Sequence, residues 1–200
     1  MDENHFRVAA AIAIVVTMSI GVYHRWQAAR SGERVSRRDE GLLLAVVLRL
    51  SGLVMWIGTF AWLIRPQSMA WAMLPLPDAV RWSGAVLGLL GAGLMYWTMT
   101  SLGKNLTDTV AVRREAYLVT RGPYRWVRHP FYVTAAVLMA SITLLSANAL
   151  IGAAGLAVVA LLAVRTPIEE RKLLEQFGEP YREYRATTGA FFPRLHGTRR

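Results

Sequence analysis

Long apolar runs, nearly free of charge, constrain the fold of this chain more than any other feature of its sequence. Five such runs occupy residues 6–23, 41–64, 80–101, 131–146 and 149–164. A helix rises about 1.5 Å per residue, so roughly 20 apolar residues cross a hydrocarbon core that is about 30 Å thick. The runs reach or approach that length. We therefore predict an all-α integral membrane protein with about five transmembrane helices.

Two local features predict how these helices meet. Only Ala147 and Asn148 separate the fourth run from the fifth, which indicates a tight antiparallel helical hairpin. Gly84 and Gly88 have the GxxxG spacing in the third run. Small residues at this spacing let two membrane helices approach closely, so we expect these glycines to lie at a helix–helix contact.

The basic residues predict the orientation in the membrane. Most of the 23 Lys and Arg residues lie in three polar segments, residues 24–40, 102–130 and 165–200. Segments rich in Lys and Arg stay in the cytoplasm. The N-terminus is therefore expected outside and the C-terminus in the cytoplasm, with several passes through the bilayer between them.

The formal net charge of +10 predicts contact with membrane lipids rather than with nucleic acid. The basic residues flank apolar spans, where they meet anionic headgroups. The chain contains no cysteine, which excludes disulfides, thiolate catalysis and cysteine metal sites. We expect no metal.

Arg49 is a basic residue inside the second apolar run. A charged side chain within a membrane span is a functional candidate, here a substrate contact. Its long aliphatic stem could equally carry the guanidinium to the headgroups. The sequence leaves both interpretations open.

One polar segment that could carry chemistry covers residues 122–132. Gly122 and Pro123 indicate a turn, and Pro130 suits the first turn of the fourth helix. A helix N-terminus attracts anions, so Arg128 and His129 beside it could receive a carboxylate or phosphate. The competing interpretation is a juxtamembrane basic cluster with interfacial aromatic residues.

A second polar segment follows the fifth apolar run. Thr166 and Glu169 have capping-box spacing, with Pro167 between them, which predicts that a new helix begins there. A cap would explain Glu169 but not Glu170. The predicted helix ends near Gly178, and we expect it to lie along the membrane surface or to cover a pocket.

The stretch from residue 102 to residue 193 resembles the isoprenylcysteine carboxyl methyltransferase family and the related phospholipid methyltransferases. The matching residues occur in the family's order and spacing, on both sides of an apolar hairpin. They are Leu102, Gly103, Leu118, Val119, Thr120, Gly122, Tyr124, Arg128, His129, Pro130, Tyr132, Arg165, Glu169, Glu170, Phe177, Gly178, Tyr181, Tyr184 and Pro193.

The resemblance implies S-adenosylmethionine as cofactor, bound in a cytoplasmic pocket that the C-terminal half forms. The cofactor contacts it implies are Leu118, Val119, Gly122, Tyr124, Arg128, His129, Tyr132 and Glu170. Arg165 and Glu170 are the implied catalytic residues, and Arg165 would also contact the acceptor. Two departures stand out. Val133 and Thr134 lie where many members have glycine, and Ala116 replaces a histidine frequent in prenylcysteine enzymes.

The predicted organisation is an N-terminal three-span region, residues 1–101, and a methyltransferase-like region, residues 102–200. The predicted activity is methyl transfer to a carboxylate, or an amine, of a lipid-like or prenylated acceptor. Two other functions stay open at this stage: an intramembrane reductase that uses NADPH, and a lipid-binding protein without catalytic activity.

Overall fold

A computed structural model describes residues 3–30, 42–103 and 117–194 of the chain. Ala116 and parts of the three basic segments named above, residues 31–40, 104–116 and 195–200, lie outside these ranges. The described residues form six α-helices and two short 3₁₀ helices. The α-helices are α1 (Glu3–Ala29), α2 (Leu42–Ile64), α3 (Asp78–Leu102), α4 (Pro130–Ser146), α5 (Ala149–Phe177) and α6 (Glu179–Thr187).

The all-helical prediction is confirmed within the described ranges, where the only β pairings are two isolated bridges. Four helices, α1, α2, α3 and α5, are long and apolar enough to cross a membrane. α4 is shorter, with 17 residues, and spans about 26 Å at the usual rise. The chain is therefore a multi-pass membrane protein, and the five predicted apolar runs each fall in a separate helix.

Small residues on α3 set its close packing against α4. A Cβ atom on Gly84 would lie 2.8 Å from the main-chain oxygen of Ser141, and one on Gly88 would lie 2.8 Å from the Ser141 hydroxyl. That hydroxyl donates a 2.6 Å hydrogen bond to the carbonyl of Gly84. The predicted glycine contact is confirmed, because neither position has room for a methyl group.

The α4–α5 connection is the tight hairpin that the sequence predicts. Ala147 adopts the left-handed conformation, with φ 45°, and Asn148 caps α5 by accepting hydrogen bonds from the main-chain N–H groups of Leu150 and Ile151. The Asn148 amide also donates to the carbonyl of Met69 at 3.0 Å. The hairpin is thereby tied to the short 3₁₀ helix Pro66–Ala72 between α2 and α3.

The predicted helix start at residues 166–169 is wrong, because α5 runs without a break from Ala149 to Phe177 with Pro167 inside it. The Thr166 hydroxyl donates to the carbonyl of Leu162 within the helix, so it caps no new helix. A proline removes one main-chain hydrogen bond. Buried side chains on both sides of it, Leu162 and Glu170, are packed into the protein and keep the helix continuous.

α5 is too long to lie wholly inside a bilayer. Its 29 residues correspond to about 44 Å, whereas the hydrocarbon core is about 30 Å thick. Its apolar part begins at Ala149, and its charged residues begin at Arg165. The last three turns therefore project beyond the hydrocarbon core, and we call this side of the bundle the Glu170 end.

The opposite side, the Glu3 end, is closed by an ion pair between the buried Arg81 and the half-buried Glu3. Both terminal nitrogens of Arg81 donate to the Glu3 carboxylate, at 2.8 and 2.7 Å, and Nη2 also donates to the carbonyl of Leu145. The indole N–H of Trp62 donates to the same carboxylate at 2.8 Å. One acidic residue thus joins the ends of α1, α2, α3 and α4.

Gly84→Ala is expected to destabilise the bundle, while Gly93→Ala on the same helix is not. A Cβ at Gly84 meets main-chain atoms that cannot move away cheaply, whereas nothing lies within 4 Å of one at Gly93. Overpacking of this kind costs about 1–3 kcal/mol. Thermal unfolding of the two variants in detergent measures the difference. Equal melting temperatures would show that α3 and α4 do not approach as closely as described.

Candidate functional site

The Glu170 carboxylate is the centre of a buried charged cluster at the Glu170 end. Arg128 donates to its Oε1 atom from Nε at 2.8 Å and from Nη2 at 2.7 Å. Nε2 of His129 lies 3.1 Å from the same oxygen. Glu170 and His129 are both buried. Arg128 and His129, predicted to receive a carboxylate or phosphate, thus contact a carboxylate of the chain itself.

The cluster keeps Glu170 ionised. Burial alone would raise the pKa of this carboxyl group, but hydrogen bonds from His129 and Arg128 and the charge of Arg128 outweigh it and lower the pKa to about 2. At neutral pH the group is an anion and a very weak base. It can attract a cation, but it accepts a proton poorly.

Arg128 links three parts of the chain. Its Nη1 atom donates to the carbonyl of Thr188, beyond α6, while its other nitrogens contact α5. The main chain repeats the link, since the N–H of Arg128 donates to the carbonyl of Gly189 at 2.8 Å and that of His129 to Ala190 at 3.0 Å. The segment after α6 is thus held against the start of α4.

Aromatic rings enclose His129. The Tyr132 ring stacks on it, with centroids 5.4 Å apart, and the Phe191 ring lies tilted to it, with centroids 5.8 Å apart. The Tyr132 hydroxyl donates to Glu169. Glu169 is therefore a partner of α4 and not the capping residue expected from the sequence. Glu169 thus contacts Tyr132, whereas the adjacent Glu170 contacts Arg128 and His129.

The turn before Arg128 depends on Gly122. Its φ of +62° is left-handed, and a Cβ atom there would lie 2.2 Å from Oγ of Ser101. The turn packs on the end of α3 and leaves Val119 buried and Leu118 half-buried beside it.

Tyr124, in the short 3₁₀ helix Gly122–Arg125, joins this turn to α6. Its carbonyl accepts a 2.5 Å hydrogen bond from the Tyr184 hydroxyl. Burial, with smaller effects of Glu169 and Tyr184, raises the pKa of the Tyr124 phenol, so the group stays neutral. Tyr124 can therefore offer an uncharged ring and hydroxyl, but no phenolate.

A cavity of about 380 Å³ lies beside the cluster. Its volume falls in the range typical of small-molecule sites. Its lining includes three arginines and one glutamate and comes from the loop before α4, from α5, from α6 and from the segment after it. The lining residues are Arg128, Thr166, Pro167, Glu170, Arg171, Leu174, Arg185 and Ala190.

The two arginines predicted to contact an acceptor lie apart from this lining. Arg165 is half-buried on α5. It precedes Glu170 by five positions and Glu169 by four, so it shares a helix face with Glu169 instead. Arg49 is exposed on α2, as expected of a snorkelling side chain. The structure thus brings together Arg128, His129, Tyr132 and Glu170, with Arg165 on an adjacent face and Arg49 on the outside of the bundle.

The sequence argument missed the contribution of Arg185 and of the segment after α6. Nε of Arg185 lies 3.4 Å from Oε2 of Glu170, and its side chain is 53% exposed. Thr188, Gly189 and Phe191 contact Arg128 and His129. One sequence signal for this segment was available. Tyr181 and Tyr184 are three residues apart, which predicts a short helix with one face packed against the protein.

Replacement of Glu170 by Gln is expected to remove stability that is present at neutral pH and is lost at acidic pH. A carboxyl group with a lowered pKa stabilises the fold above its unfolded pKa, near 4.5, and this contribution disappears as the pH falls towards 2. The difference in melting temperature between wild type and Glu170→Gln should therefore shrink between about pH 4.5 and pH 2. Glu175→Gln, at an exposed position of α5, is the control. A difference in melting temperature that stays constant across that pH range would contradict the pairing of Glu170 with Arg128 and His129.

Comparisons with known proteins agree with one another. Residues 84–175 match the isoprenylcysteine carboxyl methyltransferase family. A protein-S-isoprenylcysteine O-methyltransferase of Dictyostelium discoideum is 30% identical over 119 residues, which are 58% of this chain and 50% of that protein. The protein-S-isoprenylcysteine O-methyltransferase B of Arabidopsis thaliana is 33% identical over 105 residues, 50% of this chain and 53% of that protein.

A solved structure, that of the eukaryotic intramembrane Ras methyltransferase ICMT, shares the fold. The TM-score is 0.51 at 24% sequence identity, over 76% of this chain and 53% of the other. The chain spans about half the length of each of these relatives. The matched segment runs from Gly84 on α3 to Glu175 on α5 and includes Arg128, His129 and Glu170. The likeness to the isoprenylcysteine carboxyl methyltransferase family thus covers residues 84–175, somewhat less than half of the chain.

Proposed function

We propose that the protein transfers a methyl group from S-adenosylmethionine to a carboxylate of a lipid-like acceptor at the cytoplasmic face of a membrane. One observation carries this proposal. The segment that matches the methyltransferase family contains Arg128, His129 and Glu170, which converge beside a cavity in this chain. The relatives are named as methyltransferases of isoprenylcysteine, so a prenylated cysteine is the acceptor we favour.

The residues present fit S-adenosylmethionine. A buried, ionised carboxylate on the cavity wall suits the cofactor's ammonium group, and aromatic rings suit its adenine and its sulfonium. Of the residues that the resemblance implies as contacts, Glu170 lines the cavity together with Arg128. We propose that Leu118, Val119, Gly122, Tyr124, His129 and Tyr132, from the neighbouring turn and the start of α4, complete the cofactor site. When bound, the cofactor supplies a methyl group activated for nucleophilic attack.

We assign Arg128 a positioning role rather than a direct cofactor contact. Its guanidinium already donates to Glu170 and to the carbonyl of Thr188, and its side chain is 8% exposed. These bonds orient the Glu170 carboxylate and secure the segment that follows α6. Arg128 therefore acts on a ligand through Glu170.

The low pKa of Glu170 favours a carboxylate acceptor over an amine. An amine must lose a proton on methylation and needs a base, whereas a carboxylate is already ionised at neutral pH. A group with a pKa of about 2 is a poor base for this purpose. Catalysis then rests on proximity and orientation of the two reactants.

Arg165 is the residue we propose for holding the acceptor carboxylate. A guanidinium can donate two parallel hydrogen bonds to a carboxylate. Its position where α5 leaves the hydrocarbon core suits an acceptor with its chain in the bilayer and its polar end at the surface. The basic segments at this end support a cytoplasmic location, with the N-terminus outside.

The other two functions considered for this sequence receive no support from the relatives. An NADPH-dependent reductase would require a reducible lipid substrate and a nicotinamide site. A lipid-binding protein would show no dependence on a methyl donor. The first experiment below distinguishes both from a methyltransferase.

Titration calorimetry of the detergent-purified protein with S-adenosylhomocysteine tests the cofactor site. We expect saturable binding that weakens by about ten-fold or more in His129→Ala and Glu170→Ala, since hydrogen bonds to charged groups contribute about 1.5–3 kcal/mol. Glu170→Gln replaces Glu170→Ala in this test if the latter unfolds. Glu175→Ala, at an exposed site, is the control. No binding by folded wild-type protein would rule out the methyltransferase.

Arg165→Ala should raise the KM for the acceptor and leave the affinity for S-adenosylhomocysteine unchanged. Loss of a charged hydrogen-bond pair predicts a rise of about ten-fold or more. Initial rates with N-acetyl-S-farnesylcysteine measure the KM, and Arg182→Ala, which changes an exposed arginine of α6, is the control. An unchanged KM and turnover would exclude this role for Arg165.

A further inference from the structure

The two oxygens of the Glu170 carboxylate have cationic partners of very different kinds. Arg128 contacts Oε1 at 2.7 Å and is 8% exposed, whereas Arg185 approaches Oε2 at 3.4 Å and is 53% exposed. An ion pair that is buried and short is hard to break, while an exposed and longer pair contributes little. Arg128 is therefore the fixed partner of Glu170, and Arg185 is the weak one.

Arg185 stands where a ligand would approach Glu170. Both side chains line the cavity, and Arg185 comes from α6, beyond the segment that matches the methyltransferase family. Its contact is with Oε2, whereas Arg128 and His129 both contact Oε1.

The Arg185 side chain can leave this position without disturbing α6. The helix is anchored by Tyr181, which is buried, and by the Tyr184 hydroxyl bonded to the carbonyl of Tyr124. The main-chain carbonyl of Arg185 also lies 3.4 Å from Nη1 of Arg128. These contacts hold the backbone, while the guanidinium is free to rotate towards solvent.

We propose that Arg185 is an exchangeable counter-ion that the ammonium group of the methyl donor displaces from Oε2 of Glu170. The exchange keeps Oε2 next to a cation before and after binding, while Arg128 stays paired with Oε1. It also favours ligands that bring a cation of their own, which makes Arg185 a specificity-determining residue. This inference rests on the proposed function, because it assumes a methyl donor in this cavity.

The test compares Arg185→Gln with Arg182→Gln by calorimetry on the detergent-purified full chain. Arg182 is a matched control on the same helix, 65% exposed and paired with Glu179 instead of Glu170. Two probes separate the groups of the ligand. S-adenosylhomocysteine carries the ammonium group, and 5′-methylthioadenosine shares its nucleoside but lacks the amino-acid part.

We expect Arg185→Gln to bind S-adenosylhomocysteine about two- to five-fold more tightly than wild type, because it removes the competing exposed ion pair. Affinity for 5′-methylthioadenosine should not change, and Arg182→Gln should leave both affinities at wild-type values. Melting temperatures of the two variants verify that each is folded.

Weaker binding of S-adenosylhomocysteine by Arg185→Gln would overturn the proposal, because it would make Arg185 a direct ligand contact. Unchanged binding would also overturn it, while leaving the methyltransferase assignment intact. Tighter binding of both probes would show that Arg185 blocks the cavity by its bulk and not by its charge. Absence of binding to wild type would instead defeat the proposed function itself.

Discussion

The pairing of the buried Glu170 carboxylate is the interaction on which the functional end of this protein depends. An isolated charge in a protein interior is strongly unfavourable, so Glu170 on α5 requires cations from other elements. Arg128 and His129 come from the loop before α4, and Arg185 comes from α6. Each partner brings its own segment to α5. The cavity forms where these segments meet, and one charge therefore determines the shape of the site.

At the opposite end of the bundle, a carboxylate is likewise paired with groups from other helices. Glu3 binds Arg81 and Trp62 where four helices end, and apolar side chains and closely packed glycines fill the length between the two ends. Apolar surface gives membrane helices little preference for one neighbour over another. The two polar clusters and the glycines of α3 supply the specificity that apolar packing lacks.

The same carboxylate limits the chemistry that the site can perform. The bonds that lower the pKa of Glu170 to about 2 make it a good partner for a cation and a poor base. A site built in this way suits reactants that need no proton removed, provided that they are held close together. A carboxylate acceptor beside a methyl donor meets this condition.

The sequence alone determined the helical membrane fold, because apolar run length, glycine spacing and the Ala147–Asn148 turn are local properties. It also indicated Arg128, His129 and Glu170, through their motifs. It misplaced the helix start at Thr166, since local capping signals carry no information on the tertiary contacts that keep α5 continuous. Only the tertiary structure showed that Arg128 binds Glu170, 42 residues away, and that Arg185 completes the cluster, because such pairs depend on how distant segments pack.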